Sequence, residues 1–404
     1  MREQGHAIVG PRSYDGSMAV AGRRPSPGVK GRTRLSRGIM GRLRLASQGL
    51  LDAPQGLPGP GSRTVPDAVR WMAAMQAQDL QGALWAVGQR VPGAGVGDVR
   101  AALDRGEIVR SWPMRGTLHL LAPEDLRWIL AVTSERLIRG RAGRHRQLGI
   151  TPGDVGAARG AALRLVSGGG AATREELFQS FQAAGQSTAG QRGIHLLGIL
   201  CQRGWLVQGP LRGKQQLVVA FDEWITESRA LDRGAAIAEL LLRYVRSHGP
   251  ATERDFAWWS GIPLTEVRAA LAGVRHELVS LEFEGTSYWL SPATAALLDG
   301  AVPGARSVLA LPGFDEFLLG YADRSLVLPA EHSNKIVPGG NGMFKRTIVA
   351  GGEVVGTWAV ARNGAGAAVV PEPFDTVNGL RPAAQKSFEL QAAKYRKFLA
   401  SGKS

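Results

Sequence analysis

One cysteine, Cys201, stands in 404 residues, so no internal disulfide can form and the chain suits a reducing cytoplasm. It lies in the apolar stretch Ile199-Leu200-Cys201, the setting of a small core residue rather than a nucleophile. No run approaches the roughly 18 apolar residues of a membrane span, and the N-terminal stretch lacks the apolar core of a signal peptide. Walker loops, glycine-rich dinucleotide fingerprints and Cys/His clusters are all missing. The histidines (His6, His119, His145, His195, His248, His276, His332) are scattered without metal-ligand spacing. Neither a metal nor a nucleotide cofactor is expected, and no membrane partner. Acidic residues are also short: 34 against 49 Lys and Arg leave a net charge of +15. A balance of that size favours a polyanionic partner.

The charge is unevenly placed. Residues 1–45 hold ten Lys/Arg against Glu3 and Asp15, and a second cluster comprises Arg136, Arg139, Arg141, Arg144 and Arg146. The first segment is rich in Gly, Pro, Ser and Arg without periodicity. It reads either as a disordered basic arm over residues 1–38 or as the product of an upstream start codon, since Met40 directly precedes the ordered pattern.

From there the chain alternates helical patterns with paired strand patterns. Helices are expected at 42–52, 66–75, 80–90 and 98–105, followed by strand-like runs on either side of Pro113. Helices followed by a β-hairpin are the outline of a winged helix. The outline recurs from Ala172-Thr173 and again from Ala251-Thr252, both with a threonine three residues before an acid, a capping-box start. After about residue 297 strand-like runs (Ser307 to Leu311, Ser325 to Leu328, Thr347 to Val349, Val354 to Val360, Ala367 to Val370) are punctuated by glycine pairs, and a helix at 382–400 closes the chain. The expected fold is α+β: winged helices at 39–150, 151–228 and 229–295, then a β-rich domain at 296–404 with its terminal helix.

Met75-Gln76-Ala77-Gln78-Asp79 is the most informative stretch. On a helix, positions i and i+2 lie about 200° apart, so two glutamines so spaced converge only on extended backbone or at a helix start. Leu80, Ala83, Leu84 and Val87 then repeat at helical spacing, which makes Asp79 the expected N-cap. From spacing alone, two solvated loop glutamines remain an alternative. In Arg115-Gly116-Thr117-Leu118-His119, strand alternation sets Arg115, Thr117 and His119 on one face, where they either face a ligand or, for His119, serve structure.

Gln76-Ala77-Gln78-Asp79, then Arg110-Ser111-Trp112-Pro113-Met114 running on through Arg115 to Leu120, then Asp315-Glu316-Phe317-Leu318-Leu319-Gly320-Tyr321-Ala322-Asp323-Arg324, and finally Val354-Val355-Gly356-Thr357-Trp358 resemble the AlkZ/YcaQ-type winged-helix DNA glycosylases. Four motifs in order carry the resemblance, from about residue 40 to the C-terminus. It implies three tandem winged helices and a β domain forming a concavity for double-stranded DNA. It also implies a catalytic Gln-hydrophobic-Gln motif, carried here by Gln76 and Gln78, with Asp79, Thr117 and His119 in support. Glutamine at the second position is similar to the AlkZ branch, whose members unhook or excise bulky genotoxin adducts. A nucleoid-associated monomer acting on alkylpurine lesions is the expectation.

Two amides suit that chemistry. An N7-alkylated purine already carries positive charge, so its glycosidic bond is weakened and no strong general acid is needed. A glutamine carbonyl orients water, and its dipole stabilises an oxocarbenium-like sugar. Expected DNA contacts are Arg115, Arg139, Arg141, Arg144 and Arg146, and the loop carrying Lys335, Lys345 and Arg346. The rival readings are a winged-helix transcription regulator without catalysis and a lesion-binding protein without turnover.

Overall fold

The computed structural model describes residues 34–52, 57, 64–340, 342–363 and 366–402. Most of the basic arm expected at 1–38 lies outside them, as does Asn341 in the glycine-rich loop. Helix α1 (Arg37–Ser47) starts where the Ser36 hydroxyl accepts from Ile39 N. It stops ahead of Gly49, whose φ of 67° leaves the helical region, so the helix expected at 42–52 is displaced towards the N-terminus. A capping box between Thr64 and Asp67 opens α2 (Val65–Met72). The backbone then extends through β1 (Met75–Gln76) into α3 (Leu80–Arg90). Helix α4 (Val96–Asp104) and the hairpin of β2 (Val109–Met114) and β3 (Thr117–Leu121) complete this unit.

Helices α5 (Pro123–Gly140) and α6 (Ala142–Gln147) lead to α7 (Pro152–Val166) and the short β4 (Ala171–Ala172). Next come α8 (Arg174–Ala183), α9 (Arg192–Gln202), the hairpin of β5 (Leu206–Arg212) and β6 (Gln215–Ala220), and the single turn α10 (Phe221–Trp224). The pattern returns in α11 (Arg233–His248), α12 (Glu253–Ser260) and α13 (Leu264–Val274), with the hairpin of β7 (Val279–Phe283) and β8 (Thr286–Leu290). Both capping boxes read from the sequence form, Thr173 with Glu176 and Thr252 with Asp255.

The last segment holds α14 (Pro292–Ala296), β9 (Val308–Leu311), the single turns α15 (Glu316–Leu319) and α16 (Ser333–Ile336), β10 (Thr347–Ala350), β11 (Glu353–Asn363), β12 (Gly366–Pro373) and α17 (Pro382–Ala400). The strand expected at Ser325–Leu328 is a turn instead. Arg324 O accepts from both Val327 N and Leu328 N, and the Asp323 carboxylate takes Ser325 N. Its apolar run plugs a core shared with α1 and β9.

Two sheets dominate. The first runs β1-β3-β2-β5-β6-β4, so the hairpins of the first two units join, with Arg110 opposite Gln208 at the seam. The second, β12-β11-β10-β9, is antiparallel throughout. The first unit and the last segment pack on one another. Tyr395 and Phe398 of α17 each pack on the Trp85 ring at 5.1 Å. A Cβ at Gly41 of α1 would lie 2.0 Å from Gly352 O, at the turn between β10 and β11. Arg90 and Asp315, both inaccessible, form a two-pronged pair at 2.9 and 3.0 Å, and Arg90 also donates to the carbonyl and side chain of Gln48. A buried charge satisfied on so many sides locks three distant segments together. No helix among the described residues is long and apolar enough to cross a membrane.

Candidate active site and nucleic-acid interface

Gln76, Ala77 and Gln78 lie along the edge of the first sheet, where β1 pairs with β3 and Gln76 stands opposite His119. Ala77 N donates to Leu118 O at 2.7 Å, extending the pairing one residue beyond β1. The chain then turns at Asp79, whose carboxylate accepts from Gln81 N at 3.1 Å and caps α3. The extended-then-capped geometry needed to bring two glutamines together is therefore present.

The two side chains differ. Gln76 is only 7% exposed, and its Oε1 is buried without a protein partner. Gln78 is exposed, with its Oε1 accepting from Leu118 N at 3.3 Å. Arg110 holds the backbone between them. Its guanidinium donates to Ala77 O at 2.7 and 3.0 Å and to Gln78 O at 3.4 Å, and Gln208 and Gln216 take the remaining arm. Burial lowers its pKa to about 10, with Asp79 opposing. It is still a cation at neutral pH.

Behind Gln76 sits a buried charged cluster. Glu316 Oε1 accepts from Gln76 N at 2.7 Å, and its Oε2 from the Trp259 indole at 3.0 Å; His248 Nε2 lies 3.4 Å away. Burial opposes ionisation of Glu316, but the His248 contact and the Arg115 charge outweigh it and hold the pKa down at about 2. Fully buried His119 is pushed down to about 3 by burial and by Arg115. Its Nδ1–H donates to Thr117 O at 2.9 Å, which leaves the Nε2 lone pair facing Arg115 Nη2 at 3.4 Å. His119 is thus a buried neutral ring bridging Thr117 and Arg115.

Arg115 is not a strand residue. Met114 pairs with Thr117, so Arg115 and Gly116 are the two turn residues, with φ of 52° and 68°. Positive φ at both positions is the hairpin turn whose twist matches the flanking strands. The alternation that set Arg115 beside Thr117 and His119 does not apply, although its long side chain still reaches back to His119. Thr117 is half-buried, with its Oγ1 unpartnered.

Gln78 stands where two cavities meet. One is an open groove of about 1110 Å³ against α8, α9 and the β5–β6 hairpin, lined among others by Arg110, Trp112, Phe178, Gln182 and Lys214. The other, of about 160 Å³, is lined by Trp112, Gly116, Arg141, His145, His195 and Gln202. His145 and His195 meet edge to face at 5.3 Å, a contact invisible to a search for metal-ligand spacing. Of the arginine cluster, Arg141 enters the smaller pocket and donates to Gly116 O at 3.2 Å. Arg139 is exposed and pairs with Glu135 at 3.4 Å, Arg144 donates to Gln147 and Gln191, and Arg146 is exposed. In the expected loop, Lys335 belongs to α16 and reaches Phe374 O, Lys345 is exposed, and Arg346 stacks over Trp358 at 5.1 Å.

The model of the family described as DNA glycosylase AlkZ-like matches residues 69–398. An interstrand DNA cross-link repair glycosylase of Streptomyces sahachiroi is 25% identical over 263 residues, covering 63% of this chain and 70% of its own. Among solved structures, the Streptomyces sahachiroi DNA glycosylase AlkZ superposes with a TM-score of 0.75 at 23% identity, over 91% of this chain and 97% of its own, which shows a shared fold.

Proposed function

Since this chain belongs to the AlkZ-like DNA glycosylase family, we propose that it hydrolyses the N-glycosidic bond of N7-alkylated purines in duplex DNA. The observation that carries this reading is the pairing of Gln76 and Gln78 on extended backbone. One carbonyl is buried without a protein partner, and the other side chain stands at the mouth of a groove. A buried acceptor left unmet costs about 1–3 kcal/mol, so Gln76 Oε1 is suited to take a hydrogen bond from water. Gln76 Oε1 accepts from water and aligns it, and the exposed Gln78 turns its carbonyl from Leu118 N towards the sugar as positive charge develops. Neither amide takes up a full proton at neutral pH, so a base lacking the lesion's own charge is a poor substrate. The nucleophile is water, which makes the enzyme a monofunctional glycosylase.

The open groove beside Gln78 supports bulky adducts as substrates, including the interstrand cross-links named for the Streptomyces sahachiroi relative. The three helix-and-hairpin units, divided at 39–150, 151–228 and 229–295, act as tandem winged helices, with the β domain at 296–404 completing the concavity. A chain with three such units wraps one site as a monomer. Arg115, Arg141, Arg144, Arg146, Lys345 and Arg346 contact the phosphates; Arg139 and Lys335 have weaker roles, being already engaged with Glu135 and Phe374.

The test is incubation with duplex carrying N7-alkylguanine and mass analysis for free modified base. Release is expected, borohydride should trap no covalent complex, and Gln76→Ala and Gln78→Ala should each slow release by about a hundredfold or more. Duplex affinity should stay within about twofold, because affinity resides in phosphate contacts. Tight binding with no release would instead mark a regulator or a damage-binding protein.

A further inference from the structure

Trp258 is 37% exposed on α12, an unusual setting for so large an apolar ring. Two guanidiniums lie over it, Arg115 at 4.6 Å from the ring centroid and Arg324 at 5.1 Å. Arg324 also lies over Phe344 at 5.1 Å, and Phe344 packs on Phe314. The stack thus joins the β2–β3 turn, α12 and the C-terminal segment. Both cations are therefore within roughly 10 Å of one another, about a Debye length at 0.1 M salt.

The two arginines are held by carbonyls rather than carboxylates, with Glu316 acting on Arg115, and Asp255 and Asp323 on Arg324, only from beyond ion-pair distance. Arg115 donates to Leu319 O at 3.3 Å, and Arg324 Nε to Leu318 O at 2.9 Å, both carbonyls of α15. Among the described residues neither has a carboxylate within ion-pair distance. A guanidinium carries five N–H donors, so each retains donors for another acceptor. A like-charged pair, fixed by carbonyls and an aromatic face, is a preformed anion site. Its place is next to the chemistry: Arg115 touches His119, which stands opposite Gln76, and the following Gly116 lines the pocket that contains Gln78.

We propose that Arg115, Trp258 and Arg324 form a clamp for the phosphodiester backbone beside the lesion. Trp258 serves as the platform that keeps both guanidiniums aimed at the strand. The proposal rests on the reading of duplex DNA as the partner, and its test separates the two. Binding of a fluorescein-labelled, undamaged duplex is followed by anisotropy across a salt series. Arg324→Gln should weaken binding about three- to tenfold and reduce the slope of log K against log salt by about 0.9, the contribution of one phosphate. Arg324→Lys should restore the slope. Trp258→Ala should weaken binding to a similar extent although it removes no charge. Arg254→Gln, an exposed arginine on the same helix, should leave the slope unchanged. An equal loss in Arg254→Gln, or parental binding by Trp258→Ala and Arg324→Gln, would overturn the clamp while leaving DNA as the partner. Failure of the parental protein to bind duplex would overturn the reading beneath it.

Discussion

At the scale of single residues, the site depends on groups that hold the glutamine motif in place. Arg110 is the sharpest case, because its guanidinium collects the carbonyls of Ala77 and Gln78 together with two glutamine side chains. A lysine keeps the charge but has no planar fork for that geometry. Arg110→Lys is therefore expected to lower the single-turnover rate of base release at least tenfold while duplex affinity changes by less than about twofold. A parallel fall in both would make Arg110 a DNA contact rather than a positioning residue. The motif itself was legible in sequence because its geometry is local: extended backbone followed by an Asp79 N-cap. Its supports were not. Glu316 meets Gln76 across 240 positions, and Arg110 meets Ala77 across 33. No periodicity encodes such meetings. The Arg115 turn was misread because arginine is uncommon at positive φ, and only the neighbouring Gly116 hinted at a hairpin turn.

At the scale of elements, capping residues were the clearest sequence signals, since a cap and the amide it satisfies are three residues apart. Thr173 and Thr252 each open the helix expected of them, and Thr64 opens α2 in the same way. The run Ser325–Leu328 failed for the opposite reason: four residues are too few to show a period, so burial alone does not distinguish strand from turn. Helix packing is equally hidden, and two helical glycines make it testable. Gly41 faces a backbone carbonyl 2.0 Å from where its Cβ would lie, whereas Gly156 of α7 has nothing within 4 Å. Gly156→Ala should stabilise the protein by about 0.5–1 kcal/mol, the helix-propensity gain alone. Gly41→Ala should destabilise it by about 1–3 kcal/mol, as overpacking against fixed backbone does. Urea unfolding of the two variants should move in opposite directions; a stabilised Gly41→Ala would mean that α1 does not seat on the β10–β11 turn.

For the whole molecule, the unit boundaries visible in sequence do not divide the packing. Residues from β1, the β2–β3 hairpin, α11, α12 and α15 converge on one buried cluster, with His119, His248 and Glu316 at its centre. Its titration makes global stability depend on pH in a definite direction. His119 is held at about 3 by burial and Arg115, against an ordinary value of 6.5, and burial lowers His248 likewise. A histidine with a depressed folded pKa stays neutral in the native state while the unfolded chain takes up the proton. Its contribution is complete above pH 6.5 and declines as pH falls. Glu316, held at about 2 against an ordinary 4.5, contributes fully above pH 4.5 and loses its share only below that. Between pH 7 and 5 Glu316 therefore adds nothing, and His119 should account for a loss of about 2 kcal/mol. His119→Gln should be less stable than the parent at pH 7 but should lose about 2 kcal/mol less on going to pH 5, measured by urea unfolding at each pH. Identical pH slopes for parent and variant would mean that His119 takes up its proton in the folded state, and the neutral ring bridging Thr117 and Arg115 behind the glutamine motif would have to be abandoned.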